Sequence, residues 1–478
     1  MILTALVLGP IVIGLLLYVL PRSAGAAAKY VAAAVAALSF AATAAGAGSS
    51  DVAVRWLSRP FAASFHLGFG NFSLWLVLLL ALATFSAALC VRGERSRELA
   101  AQLLLLQGAM NGVFLAKDLL LFALFWDLML IPVFLVLVGG NGHARAAWKY
   151  LLYNLVGGLA LLLATAAFGV IQQTTDVIGD PSVHVAIGAV WGAWIFAGFA
   201  FAFLVKTPVF PFHTWMPETY AELPPPVVAV VSAVQSKAGL YGFAVIALPL
   251  LPLEGVHART VMLALGLVSL LYGAFAALVQ RDAKRVVAYS SLSHLGLIVL
   301  ALFSGSGLAF AGALVYMIAH GLFSAALFLA LGGVEQREET RDLTRLGGLG
   351  ARNPRLAGAL MIGALAALGL PGLAGFAGEI LILTGLFQAG WTYAAALALV
   401  PVVLASAYML RLFQGIMNGP EVPDLPERRD LGWLEGIALA PLVAAVVWLG
   451  VNPSAIVTGG SHVVAAPGMM VILQEKRP

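Results

Sequence analysis

Six ionisable side chains sit inside apolar runs where a membrane helix tolerates few. Asp127 lies in LLLFALFWDLMLIPVFLVL, Lys206 closes FAGFAFAFLVK, and Lys237 is the one charged residue between Glu222 and Glu254. His294 lies in AYSSLSHLGLIVL, His320 in LVYMIAHGLFSAALFL and Glu379 in LPGLAGFAGEILILTGLF. A charge at the bilayer centre costs ~2.5–3.5 kcal/mol on insertion scales, so such residues gather around an internal polar path more readily than they face lipid. Their shared chemistry is reversible protonation. A buried amine is driven toward its neutral form and a carboxylate beside it restores the charged form, so moving the two together or apart switches proton affinity.

Each of the six also has a plainer reading. Lys206 is near the end of its run, and a lysine stem can snorkel to the interface. Pro208 and Pro211 cannot extend a helix ladder and favour a break inside the membrane instead. Lys237 is too central to snorkel. Asp127 and Glu379 can serve as structural partners, and a lone histidine on a packed helix is often hydrogen-bonded core. Ser290 stands one turn before His294 and Ser324 one turn after His320, so each imidazole has a hydroxyl on its own helix face. A polar knot of His213, Thr214, Glu218, Tyr220 and Glu222 joins the Lys206 run to Pro224, Pro225 and Pro226, where the Lys237 helix begins. Lys117 and Asp118 read as punctuation at a helix start.

Long helices must carry these residues. The chain has 478 residues, 62% hydrophobic and 10% charged, with a mean hydropathy of +0.99. That composition marks a polytopic membrane protein. Fourteen apolar runs approach or exceed the length that crosses ~30 Å of hydrocarbon: 2–20, 28–47, 71–91, 99–116, 119–138, 148–171, 186–207, 226–250, 260–279, 285–304, 307–332, 355–387, 392–413 and 432–451. The twelfth is too long for one straight helix and holds Leu370-Pro371-Gly372, which predicts a break there. No basic residue precedes the first run, which reads as a retained helix rather than a cleaved signal.

The single cysteine, Cys90, excludes a disulfide frame and a four-cysteine iron–sulfur cluster held by this chain alone. The net charge of +4 is spread over loops and speaks of membrane topology rather than nucleic-acid binding. Of the 26 lysines and arginines, 18 fall in odd-numbered connections and six in even-numbered connections and the tail. The remaining two are Lys206 and Lys237. The positive-inside rule then predicts both termini outside the cytoplasm.

The stretches LFALFWDLMLIPVF, FLVKTPVFPFHTWMPE, SKAGLYG, RDAKRVVAYSSLSHLG, HGLFSAALFLALGGVEQR and LPGLAGFAGE, in this order over roughly residues 70–415, resemble the antiporter-like membrane subunits of proton-pumping NADH:quinone oxidoreductase, respiratory complex I. The M-type chain is the most similar, and the D-type chain of multi-subunit cation/proton antiporters shares much of the pattern. The resemblance implies an all-α polytopic membrane protein of about 14 transmembrane helices with two inverted five-helix repeats, each with a broken helix. It implies N-terminal helices in 1–98, a first repeat in 99–250, a second in 260–414, and a last helix and tail in 415–478. Offsets of 167 residues from Asp127 to His294 and 173 from Lys206 to Glu379 suit a duplicated unit.

By the same resemblance, Asp127 stands where the family has a glutamate, and Lys206 and Lys237 match its two lysines. His294 and His320 match its mid-membrane polar axis, and Glu379 its terminal glutamate. The expected role is a proton path without redox chemistry: Lys206 holds the proton, Asp127 gates it, Lys237, His294 and His320 carry it, and Glu379 passes it on. No cofactor or metal is expected in this chain. The expected partners are the lipid bilayer and neighbouring antiporter-like subunits L and N, in the cell inner (plasma) membrane, with no nucleic acid. The alternatives are a component of a multi-subunit Na+/H+ antiporter, or the pump module of a membrane hydrogenase or a carbon-uptake complex. The sequence departs from the family at Asp127, at GFGNFS (68–73), where an acidic residue is missing, and at Met216-Pro217-Glu218-Thr219-Tyr220.

Overall fold

The computed structural model describes residues 1–140, 143–179, 187–420 and 429–457. Arg428, Lys476 and Arg477, counted above in the charge asymmetry, lie outside the described residues. Helices dominate: α1 (Ile2–Val19), α2 (Gly25–Ala45), α3 (Asn71–Leu89), α4 (Ser96–Leu115), α5 (Leu119–Val138), α6 (Ala144–Gln172), α7 (Ala189–Lys206), α8 (Trp215–Glu222), α9 (Pro225–Leu250) and α10 (Pro252–Val279). After them come α11 (Ala283–Phe303), α12 (Gly307–Glu338), α13 (Pro354–Ala367), α14 (Ala374–Gln388), α15 (Thr392–Met417) and α16 (Trp433–Val451). Thirteen of these are long and apolar enough to cross a membrane, and α13 and α14 are two shorter apolar helices in series. An antiparallel hairpin, β1 (Val52–Leu57) and β2 (Ala63–Leu67), lies between α2 and α3.

The starts follow from local chemistry. Asp118 caps α5 by accepting from Leu120 N and Leu121 N, Asp282 caps α11 through Arg285 N, and Ser306 caps α12 through Ala309 N. Prolines open α9, α10 and α13, where a missing N–H is harmless. Inside α5, Pro132 cannot donate to the Leu128 carbonyl, and the helix is interrupted at Met129, two residues beyond Asp127. The predicted interruption of the twelfth run is present as the gap between α13 and α14.

Helices α9, α11 and α12 form the centre, with almost every side chain of their apolar stretches enclosed, whereas only a third of the corresponding residues of α1, α2, α15 and α16 are buried. Exposed Leu15, Leu163, Trp194, Val279 and Val403 are the sort of surface that lipid or a neighbouring membrane subunit covers. Close approach in the centre depends on small residues. A Cβ on Gly266 of α10 would stand 3.0 Å from the Gly296 carbonyl of α11, and one on Gly296 2.6 Å from the Gly266 carbonyl.

Candidate functional site

The centre of α9 is irregular. Its backbone passes through π-helical turns at Val231–Gln235 and Phe243–Ala247, on either side of Lys237–Gly242. Lys237 is fully buried and reaches back to donate to the Ser232 carbonyl at 2.5 Å. Its Nζ also lies 2.6 Å from His320 Nδ1 on α12. The imidazoles of His320 and His294 meet edge to face at 5.5 Å between centroids, and Tyr316 meets His294 at 5.7 Å. The Tyr316 hydroxyl then donates to Glu379 Oε1 on α14 at 2.6 Å. Lys237, His320, His294, Tyr316 and Glu379 therefore make one row through the buried centre. Glu379 abuts the gap before α14, where a Cβ on Gly369 would collide with its Oε2.

Lys206 belongs to a second group. It ends α7, is 1% exposed, and has no hydrogen-bond partner at Nζ. The ammonium lies 4.9 Å from the ring centroid of Trp126, the neighbour of Asp127. A cation over an indole face gains ~0.5–2 kcal/mol. Asp127 Oδ1 is enclosed against Gly158 of α6, where a Cβ would collide with it, and it too lacks a partner. No ion pair joins Asp127 to Lys206 among the described residues, and the Trp126 ring lies against the ammonium instead. A glutamate would reach one methylene further. The break after Lys206 is satisfied from nearby: Trp215 Nε1 donates to the Val205 carbonyl at 3.0 Å, and Ser269 Oγ accepts from Phe210 N at 2.8 Å.

The serines on the histidines' helix faces bond to other partners. Ser290 accepts from the Tyr408 hydroxyl at 3.3 Å, and Ser324 pairs with Ser232 across α12 and α9. A helical wheel assigns a face, and the neighbouring helix decides the partner. His294 Nδ1 and His320 Nε2 have no protein partner, and such buried polar atoms are places where ordered water is expected. His213 stacks on Phe210 at 5.5 Å, Glu218 pairs with Lys149 at 3.2 Å, and Glu222 pairs with His143 and Arg341. Asp118 is fully buried. It accepts from Ser64 N and Thr175 Oγ1 as well as its own helix, and so ties the hairpin to α5. Burial, with a smaller push from Glu435, drives the Cys90 thiol up to about 12, so it is no nucleophile at neutral pH. Among the described residues no cluster of histidine, cysteine or carboxylate side chains could hold a metal.

The sequence did not single out Tyr316 or Trp126. Each is an aromatic in an apolar helix, four residues before His320 and one before Asp127, and reads as core until its neighbours are known.

The family described as NADH:quinone oxidoreductase/Mrp antiporter, TM, matches residues 116–405. NADH-quinone oxidoreductase subunit M of Mycobacterium tuberculosis is 36% identical over 376 residues, covering 76% of this chain and 68% of that protein. A chain of respiratory complex I from Thermus thermophilus superposes with a TM-score of 0.87 at 33% identity, over 99% of this chain and 100% of that one. A chain of the Mrp complex from a Dietzia species superposes with a TM-score of 0.85, over 98% of this chain and 99% of that one. At 22% identity, the last shows a shared fold alone.

Proposed function

The chain belongs to the NADH:quinone oxidoreductase/Mrp antiporter transmembrane family, and from that premise we propose that it is the proton-translocating subunit M of an NADH:quinone oxidoreductase. Quinone reduction takes place elsewhere in the complex, and this chain holds no redox centre. It lies in the plasma membrane with both termini on the periplasmic side, flanked by antiporter-like subunits L and N. The segments 99–250 and 260–414 are its two inverted repeats. The observation that carries the reading is the buried row from Lys237 through His320, His294 and Tyr316 to Glu379. Every member holds or shares a proton, and consecutive members are in hydrogen-bond or ring contact.

Lys206 takes up a proton while Asp127 is drawn toward it, and gives it up when the carboxylate withdraws and the ammonium is left on the Trp126 face. Lys237 accepts, His320 and His294 relay with water, and Glu379 releases toward the opposite face or the next subunit. The Mrp-like alternative keeps the same row but needs no electron input. The similarity to subunit M sequences and to the complex I chain, against a fold-only likeness to the Mrp chain, favours the oxidoreductase. Replacing Lys237 with alanine in the assembled complex is the direct test. The complex should insert at normal abundance while protons moved per electron in sealed vesicles fall on the order of tenfold, because the row loses its entry. Unchanged pumping at normal abundance makes Lys237 structural.

A further inference from the structure

Outside the row just described, one buried amine has no assigned work. Lys284, two residues into α11, is 3% exposed at its side chain and forms an ion pair with Glu335 of α12 at 2.7 Å. Glu335 is 33% exposed and lines two cavities of about 240 and 410 Å³ on the arginine-rich face. The first is walled by Pro224, Pro225 and Pro226, and the second by Arg281, Asp282 and Arg341. Lys284 Nζ also lies 3.3 Å from the Leu223 carbonyl, in the turn that launches α9 and Lys237. The charges acting on Lys284 are Glu335, Arg341 and Asp282, and Arg341 is itself paired with Asp282 at 2.7 Å and with Glu222 at 3.2 Å.

Burying an ion pair between two helices is a poor way to gain stability, since desolvation consumes most of the attraction. The asymmetry is more informative. The carboxylate can be reached by water from two sides, whereas the amine cannot. Tyr220, three residues before Leu223, is buried and interacts with the Ser236 and Ser232 side chains of α9, and Ser232 supplies the carbonyl that Lys237 holds.

We propose that Lys284 and Glu335 form the proton intake of the path, with Glu335 the water-facing acceptor and Lys284 the inward donor. The inference rests on the proton-translocating reading above. In one cycle the Glu335 carboxylate takes a proton from the aqueous face and becomes neutral. Lys284, no longer held by a negative charge, passes one of its protons inward toward the Tyr220 and Ser236 hydroxyls. The proton on Glu335 then moves to the neutral amine and the ion pair re-forms, so one proton has entered and one has left. Release of the Leu223 carbonyl accompanies the neutral amine and loosens the turn that starts α9.

The test uses the whole complex in sealed vesicles, with the parent and Lys237→Ala run alongside. A parent that moves no protons refutes the functional reading itself, whereas a pumping parent leaves only the intake in question. Lys284→Arg keeps the charge and the pair but cannot release its proton at accessible pH. It should assemble normally and pump several-fold less per electron, and Glu335→Gln should lose the same fraction and flatten the pH profile of pumping. Parental pumping by either variant overturns the proposal. If Lys284→Arg fails to assemble, the double replacement Lys284→Met with Glu335→Leu decides: an assembled complex that pumps normally makes the pair a clamp, and an assembled complex that does not pump supports the intake.

Discussion

Lys206 poses the sharpest question about a single side chain, because it is fully enclosed and its ammonium rests on an indole rather than on a carboxylate. If the amine and Asp127 formed only a structural salt bridge, breaking it would strand a buried charge at ~3–5 kcal/mol and reduce assembly, and replacing both partners by apolar residues would restore assembly and activity together. If they act as a switch, the double replacement assembles and moves no protons. Lys206→Arg should retain the cation over Trp126, since guanidinium stacks on aromatic rings at least as well, yet lower pumping on the order of tenfold because the proton is never released. Asp127→Glu should be tolerated, as the longer side chain shortens the gap to Lys206. Protons moved per electron, normalised to assembled complex, is the measurement. Normal coupled pumping by Lys206→Arg removes the proton-holding role.

At the scale of elements, the polar tie beneath α5 makes a separate prediction. Asp118 joins four donors from the hairpin, the 174–176 segment and its own helix. Asp118→Ala strands buried donors at ~1–3 kcal/mol and should lower the thermal midpoint of the solubilised complex, with Asp118→Asn falling between alanine and the parent. Pumping per assembled complex should be unaffected, and a selective loss of pumping would move Asp118 onto the proton path. Helices of this kind were legible from sequence because twenty apolar residues and a proline leave few other solutions, and the break at Leu370-Pro371-Gly372 followed for the same reason. The interruption at Met129 had an equally local cause in Pro132 but sat inside a run of ordinary length, so nothing demanded it. Asp127, Lys206, Lys237, His294, His320 and Glu379 were legible as costly ionisable groups within apolar helices. What joins them was not: Tyr316 and Trp126 are aromatic residues whose polar use depends on which helix lies opposite. Ser290 and Ser324 show the same limit from the other side, because each lies on the expected face and serves a different neighbour.

For the molecule as a whole, polar contacts sort the connections into two faces. The odd-numbered connections are stitched together: Arg97 to the Leu20 carbonyl, Arg92 to Glu435 at 3.4 Å, His143 to Glu222 at 2.8 Å, and Arg341 to both Glu222 and Asp282. On the other face the hairpin meets the start of α5 and the 174–176 segment, where His66 lies 2.6 Å from Asp176 and 3.3 Å from Asp51. The arginine excess therefore collects on one side of the bundle, where ion pairs consume part of it. Arginines and lysines translocate poorly and are drawn to the anionic cytoplasmic leaflet, so the proposed orientation predicts this face in the cytoplasm and the hairpin outside. Replacing Cys90 by alanine leaves no thiol in the chain, so single cysteines can be read in intact cells. Arg59→Cys, at the exposed tip of the hairpin, should react with a membrane-impermeant maleimide applied from outside. Arg345→Cys, exposed between α12 and α13, should react only after the membrane is opened. The reverse pattern would invert the molecule, and with it the direction in which Glu335 and Lys284 admit protons.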